Sequence, residues 1–87
     1  MEIYHVYILY SETYDKYYIG QSKNVHERIK LHNQKQVKST APYVPWKVKW
    51  FCSKNSRSES VILERKLKNL NRSRIEAFLD KYPTEKL

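Results

Sequence analysis

The sequence predicts an α+β fold, in which a small, three-stranded, mainly antiparallel sheet is flanked by three helices in the order β-β-α-β-α-α. Three segments rich in β-branched and aromatic residues predict the strands, at 2–10, 15–21 and 45–53. Three polar residues, each followed by a glutamate three positions later, predict helices near 25–35, 57–70 and 74–82. The 87 residues suit a single domain spanning 1–87.

The first two strands are joined by a short polar link, which predicts an antiparallel hairpin. Because side chains alternate along a strand, Tyr7 and Tyr18 fall on the same face of this hairpin. A turn symmetric about Glu12 and Thr13 would place Tyr7 directly opposite Tyr18, although no Asn-Gly or Asp-Gly pair fixes the register. A purely structural aromatic pair across the strands is the alternative to a functional pair.

The third strand alternates apolar and basic residues. Trp46, Val48 and Trp50 are interleaved with Lys47 and Lys49. This pattern predicts a strand with one apolar face and one face in contact with water.

The helix starts follow one pattern, a capping side chain three positions before a glutamate. The pairs are Asn24 with Glu27, Ser56 with Glu59, and Ser73 with Glu76. In such a pair the first side chain binds a free amide of the first helical turn. Pro83 is expected to end the last helix.

The chain is strongly basic. It has 17 Lys and Arg against 9 Asp and Glu, a net charge of +8 and a pI of about 9.6. This excess favours a polyanionic partner, nucleic acid before an anionic membrane, with a merely solubilising charge as the alternative. The candidate nucleic-acid-binding residues are Lys23, Lys30, Lys38, Lys66, Lys68 and Arg72.

Two features bear on the cellular compartment. Cys52 is the only cysteine, so no internal disulfide can form, and a cytoplasmic location is expected. No apolar run reaches the roughly 18 residues of a membrane-spanning helix, so no membrane association is expected. The first dozen residues favour a strand over a signal peptide.

The only glycine, Gly20, ends the second predicted strand, where it permits close approach of another group. On the following helix, Arg28 and His32 fall within an inward arc that also holds Val25, Ile29 and Leu31, whereas His26, Lys30 and Asn33 point away. A structural salt bridge or a snorkelling side chain is the alternative for Arg28, and a satisfied interior imidazole is the alternative for His32.

The second long helix carries a buried stripe of Leu63, Leu67 and Leu70. Glu64 lies about 100° from this stripe, at its flank. Periodicity alone does not distinguish it from an ordinary solvated glutamate.

Together these residues resemble the GIY-YIG nuclease superfamily, and most closely its small stand-alone bacterial proteins. The first half of the motif is His5-Val6-Tyr7, with His5 in place of the usual glycine, and the second half is Tyr18-Ile19-Gly20. Arg28, His32 and Glu64 follow at the family's spacing. The chain departs from the family at Gln21, where repair members carry a lysine, and lacks a clear counterpart of an asparagine downstream of the glutamate.

The resemblance implies an endonuclease that hydrolyses phosphodiester bonds in DNA with Mg²⁺ or Mn²⁺. It implies a catalytic set of Tyr7, Tyr18, Arg28, His32 and Glu64, with Glu64 as the metal ligand. Within this set, Tyr18 is expected to act as the base or to orient the water, with Tyr7 as a supporting hydrogen-bond partner. Two alternatives remain, a non-catalytic nucleic-acid-binding domain and a protein-interaction module that uses exposed aromatic residues.

Overall fold

The central strand of the sheet is the first strand in the chain. The computed structural model describes residues 2–86, and the sheet order is β2-β1-β3 with antiparallel pairing throughout. The elements are β1 (Tyr4–Ser11), β2 (Lys16–Ser22), α1 (Val25–Asn33), a 3₁₀ turn (Ala41–Tyr43), β3 (Lys47–Lys54), α2 (Arg57–Lys68) and α3 (Arg72–Lys81). The predicted α+β class and the order β-β-α-β-α-α are confirmed.

The register of the hairpin differs from the symmetric turn considered above. Tyr7 lies opposite Gly20, and Tyr18 lies opposite Leu9. The reason is the length of the turn, which takes the four residues 12–15 and ends at Asp15 with a left-handed φ of 53°. Because the slip is two residues, Tyr7 and Tyr18 still share one face of the sheet.

The prediction of one apolar and one wet face for β3 is wrong. A bulge interrupts the pairing, so that Trp50 pairs with Ile8 while Val48 pairs with Leu9. The residue between them, Lys49, is the extra one on the bulged strand. Val48 and Trp50 therefore pack on opposite faces of the sheet.

Both faces of the sheet are covered, and each has its own apolar cluster. The cluster under α2 and α3 contains Val6, Ile8, Ile19, Trp50, Leu67 and Ile75. The cluster on the α1 side contains Tyr7, Leu9, Val25, Trp46 and Phe51. The strict alternation of β1 supplies residues to both, which is why four consecutive residues, 6–9, are buried.

Two of the three predicted helix caps are confirmed. Asn24 accepts from the Glu27 amide at 3.1 Å, and Ser56 accepts from the Glu59 amide at 3.2 Å. The third prediction is wrong, because Asn71 rather than Ser73 caps α3.

Asn71 accepts a hydrogen bond from the Arg74 amide at 2.9 Å, so α3 begins two residues earlier than predicted. Ser73 lies inside the first turn, and its hydroxyl donates to the Asn71 side chain. The helix ends before Pro83, as expected.

The inward arc predicted for α1 is correct at Val25 and His32 and wrong at Leu31. Leu31 is 38% exposed, because the buried face of α1 is narrower than the arc predicted from helical periodicity. Asn33, expected to point away, binds the Trp46 backbone through both its side-chain oxygen and its side-chain nitrogen. These two bonds tie the end of α1 to the start of β3.

Within residues 2–86, no helix combines the length and the apolar content that crossing a membrane requires. Cys52 is a free, half-buried thiol on β3.

Candidate active site

Tyr7 and Gly20 are in direct contact across the hairpin. The Tyr7 side chain is 2% exposed, and its ring lies over the Gly20 backbone. A Cβ at position 20 would stand 2.5 Å from the Tyr7 hydroxyl oxygen and 2.7 Å from Cζ. No side chain fits at these distances, so the only glycine of the chain makes room for the phenol.

The Tyr7 hydroxyl is held by a buried hydrogen-bond chain. It lies 3.0 Å from Nε2 of His32, whose Nδ1 lies 2.7 Å from the Thr40 hydroxyl oxygen. His32 and Thr40 are both fully buried. The ring of His32 therefore has a partner on each nitrogen, as a buried imidazole requires.

His32 is neutral at physiological pH. Burial, together with the nearby Arg28 guanidinium, lowers the pKa of His32 from 6.5 to about 4. The ring contributes hydrogen bonds to the site and no positive charge. The interior-imidazole interpretation thus describes the local chemistry of His32, and the same contacts hold Tyr7 in place.

Arg28 is half-buried on α1 and lies near both Tyr7 and His32, since it lowers the pKa of each. Among residues 2–86, no carboxylate lies within 4 Å of its guanidinium. The structural salt bridge considered as an alternative is therefore not formed. A half-buried guanidinium without a carboxylate partner can receive an anion from outside the protein.

Three neighbouring charged or ionisable groups affect the Tyr7 hydroxyl. Burial, with Tyr18 and Glu64, raises the pKa of Tyr7 to about 12, and Arg28 opposes this rise. These influences place Tyr18, Arg28 and Glu64 around one phenol. The structure thus brings together the catalytic residues expected from the sequence, two from the hairpin, two from α1 and one from α2.

Tyr18 occupies the more open part of this cluster. Its side chain is half-buried, and its ring packs against His32 with 5.1 Å between centroids and against Trp46 with 6.2 Å. These contacts orient the ring, and the side chain keeps part of its surface in water.

Glu64 is the acidic residue of the cluster. Its side chain is 16% exposed, and its nearest cation is Lys68, with 3.7 Å between Nζ and Oε2. Residues 2–86 contain no set of three or more His, Cys, Asp or Glu side chains grouped to hold a metal ion. Any ion here would have Glu64 as its protein carboxylate, which fits Mg²⁺ because that ion keeps several waters and accepts substrate phosphate.

The six predicted nucleic-acid-binding residues differ in their surroundings. Lys23 pairs with Glu2 at 2.8 Å, and Lys68 pairs loosely with Glu64. Arg72 binds the side chain and the backbone oxygen of Asp15 and stacks on Tyr17, so it joins α3 to the hairpin turn. Lys30, Lys38 and Lys66 are exposed, and none of them forms an ion pair within residues 2–86.

Thr40 was not identified from the sequence. Thr40 lies in the loop that follows α1 and turns inward, and the Trp46 indole N–H donates to the Thr40 carbonyl at 3.0 Å. The signal that could have found it is chemical, because a buried histidine needs a partner on each ring nitrogen and a nearby hydroxyl can supply one.

The sequence profile of the GIY-YIG catalytic domain matches residues 3–77, most of the chain. The chain belongs to the GIY-YIG family. This is a nuclease-type family, which implies a nucleic-acid substrate, and its nucleases generally use divalent metals. The GIY-YIG match covers all five residues of the cluster, from Tyr7 to Glu64.

A solved structure supports the same assignment. The chain is similar to the solution NMR structure of a UPF0213 protein from Bacillus halodurans, with a TM-score of 0.59 and 26% sequence identity. The similarity covers 90% of this chain and 83% of that one. No curated protein matches this GIY-YIG chain significantly.

Proposed function

We propose that this protein is a Mg²⁺-dependent endonuclease that hydrolyses phosphodiester bonds in DNA. The observation that carries the proposal is the position of two weakly paired charges beside one buried phenol. Arg28 has no carboxylate partner within residues 2–86, and Glu64 has only a loose ion pair with Lys68. A protein that used these groups for stability alone would pair them with each other or with closer partners.

Arg28 serves the phosphate in this proposal. Attack on a phosphodiester builds negative charge on the oxygens around phosphorus. A guanidinium offers two parallel N–H donors to such oxygens and carries its charge at any physiological pH. Its half-buried position strengthens that interaction, because less water screens it.

The two tyrosines take different parts. A phenol with a pKa of about 12 stays protonated at neutral pH, so Tyr7 is a fixed hydrogen-bonding group rather than a free base. Tyr18 is the phenol with solvent access, and it orients or deprotonates the attacking water. His32 holds Tyr7 and makes no contact with the substrate, because it is fully buried.

Glu64 would hold the metal ion, Mg²⁺ or Mn²⁺, together with water and a phosphate oxygen. The ion would stabilise the negative charge that develops on the leaving oxygen. A carboxylate that is 16% exposed keeps one side open to these ligands while the α2 backbone fixes its position.

The exposed lysines without ion pairs supply the electrostatic attraction to DNA. Lys30 lies on α1, Lys38 lies in the loop that follows α1, and Lys66 lies on α2 two residues after Glu64. Lys23 and Lys68 can also reach phosphate, since exposed ion pairs are weak and exchange readily. Binding of this kind is independent of sequence.

Nicking of supercoiled plasmid in Mg²⁺ tests the proposal. We expect Glu64→Ala and Arg28→Ala to abolish nicking, while Glu64→Ala leaves DNA binding nearly intact. Glu76→Ala is the matched control, because Glu76 is an exposed carboxylate on α3 with only a 3.9 Å pair to Arg72. Equal nicking by wild type and Glu64→Ala would refute the assignment of the metal ligand.

A second candidate, a nucleic-acid-binding domain without efficient cleavage, is favoured by Gln21. This residue stands where repair members of the family carry a lysine, and its side-chain oxygen accepts from the Ser60 hydroxyl at 2.6 Å. It therefore serves a structural contact between β2 and α2 and cannot replace the lysine. DNA binding by wild type without nicking in Mg²⁺ or Mn²⁺ would support this candidate.

A further inference from the structure

Thr40 is buried at the end of the hydrogen-bond chain that begins at Tyr7. Its hydroxyl oxygen lies 2.7 Å from Nδ1 of His32 and 3.2 Å from the Val37 carbonyl oxygen. The Trp46 indole holds the Thr40 backbone from the other side. Within residues 2–86, Thr40 forms no hydrogen bond with Arg28 or Glu64, so we consider its role at the site to act through His32.

The direction of each hydrogen bond follows from the number of protons available. A hydroxyl has one proton and a carbonyl oxygen has none, so the Thr40 proton goes to Val37 and the Thr40 lone pair accepts from Nδ1–H. A neutral imidazole with its proton on Nδ1 can only accept at Nε2. The Tyr7 hydroxyl must then donate to Nε2.

The reverse direction carries two penalties. It would leave the Tyr7 proton without an acceptor among residues 2–86, in a side chain that is 2% exposed. It would also break the hydrogen bond from the Thr40 hydroxyl to the Val37 carbonyl, a smaller cost because that carbonyl still accepts from the Thr40 and Ala41 amides. An unsatisfied buried donor costs about 1–3 kcal/mol, which decides between the two directions.

We infer that Thr40 is a positioning residue that fixes the Nδ1–H tautomer of His32 and thereby points the Tyr7 proton inward. The Tyr7 oxygen then presents its lone pairs to the side of Arg28. The tautomer follows from the hydrogen bonds alone, whereas its consequence for cleavage rests on the proposed nuclease function.

Nitrogen-15 NMR of the His32 ring in the full chain tests the tautomer without any need for activity. Wild type is expected to show a proton on Nδ1 and none on Nε2. Thr40→Ser keeps the hydroxyl and should keep this pattern. Thr40→Val cannot accept from Nδ1–H, so this tautomer should lose its advantage and the form with the proton on Nε2 should become populated.

Tyr7→Phe provides an independent test of the tautomer if Thr40→Val does not fold. If Thr40 sets the tautomer, Tyr7→Phe leaves the proton on Nδ1. A proton on Nε2 in wild type, or its transfer to Nε2 in Tyr7→Phe, would overturn the inference.

Cleavage provides the second measurement. Thr40→Val should reduce the rate of nicking about 10- to 100-fold, as expected for loss of a partner that orients a functional group, with DNA binding unchanged. Thr40→Ser keeps the hydroxyl and should therefore nick at close to the wild-type rate. Full nicking by folded Thr40→Val would overturn the positioning role, and absence of nicking in wild type would refute the nuclease proposal while the NMR result still stands.

Discussion

The Tyr7 phenol fills the space that a side chain at position 20 would occupy, so a tyrosine at position 7 requires a glycine at position 20. An ideal Cβ on Gly20 would overlap the hydroxyl oxygen and Cζ of Tyr7. Gly20 has no positive φ among the described residues, so its role is close approach rather than an unusual backbone conformation. The two halves of the family motif are thus joined by a single contact across the hairpin.

Gly20→Ala is expected to displace the Tyr7 ring, to cost about 1–3 kcal/mol of unfolding free energy, and to reduce nicking. The background variant Tyr7→Leu removes the atoms that the new Cβ would meet. A double-mutant cycle by urea denaturation should therefore show that Gly20→Ala costs much less in Tyr7→Leu. Equal costs in both backgrounds would show that the contact is not the cause.

Stability should fall in mild acid because of His32. The unfolded chain binds a proton at His32 below pH 6.5, whereas the folded chain binds one only near pH 4. The free energy of unfolding should therefore decrease as pH falls through this window, by at most about 1.4 kcal/mol per pH unit. The groups that influence the ring, Arg28 and the two tyrosines, include no carboxylate that could stabilise an imidazolium.

Urea denaturation between pH 7.5 and pH 5 measures this slope. Above pH 5 the exposed carboxylates with lowered pKa values, such as Glu2 and Glu85, are mostly ionised in both states, so their contribution to the slope is small. His26→Gln is the control, because His26 is an exposed histidine on the same helix and its loss should leave the slope unchanged. A flat profile in wild type would contradict the burial of a neutral His32.

The cap of α3 can be tested with two neighbouring alanine substitutions. Asn71→Ala removes the acceptor of the Arg74 amide and should cost about 1 kcal/mol of unfolding free energy. Ser73→Ala removes only a hydroxyl inside the first turn and should cost less. A larger loss in Ser73→Ala would mean that the helix starts where the sequence alone suggested.

DNA binding should be weak and should decrease steeply between 50 and 200 mM salt. Lys30→Ala and Lys38→Ala should each weaken binding and lower the salt dependence by about one counterion. Arg72→Ala is the comparison, because Arg72 is already held by Asp15 and should contribute less to binding. Titration of a fluorescent duplex at several salt concentrations distinguishes these outcomes, and a binding constant independent of salt would contradict the electrostatic mode.

Much of the site was predictable because its residues are fixed by local geometry. The alternation of a strand places Tyr7 and Tyr18 on one face whatever the exact turn, since a slip of two residues preserves the face. The turn of a helix places Arg28 and His32 four residues apart on one side. Asn24 and Ser56 cap their helices through side chains only three residues away.

The features that were not predictable depend on contacts between distant segments. A four-residue turn, held by Arg72 from α3, set the register that brings Tyr7 onto Gly20 instead of Tyr18. The β3 bulge places Val48 and Trp50 in two separate apolar clusters. Regular alternation along a strand would have put both residues on the same face.

The sequence by itself determined the order of elements, the faces of the hairpin and the residue types available for chemistry, because these follow from short-range periodicity and spacing. Only the tertiary structure decided the environment of each group. It buried His32 between Tyr7 and Thr40 and left Arg28 without a carboxylate among residues 2–86. Burial and pairing are sums over neighbours that are remote in the chain, and those sums set the charge state and direction of every hydrogen bond in the site.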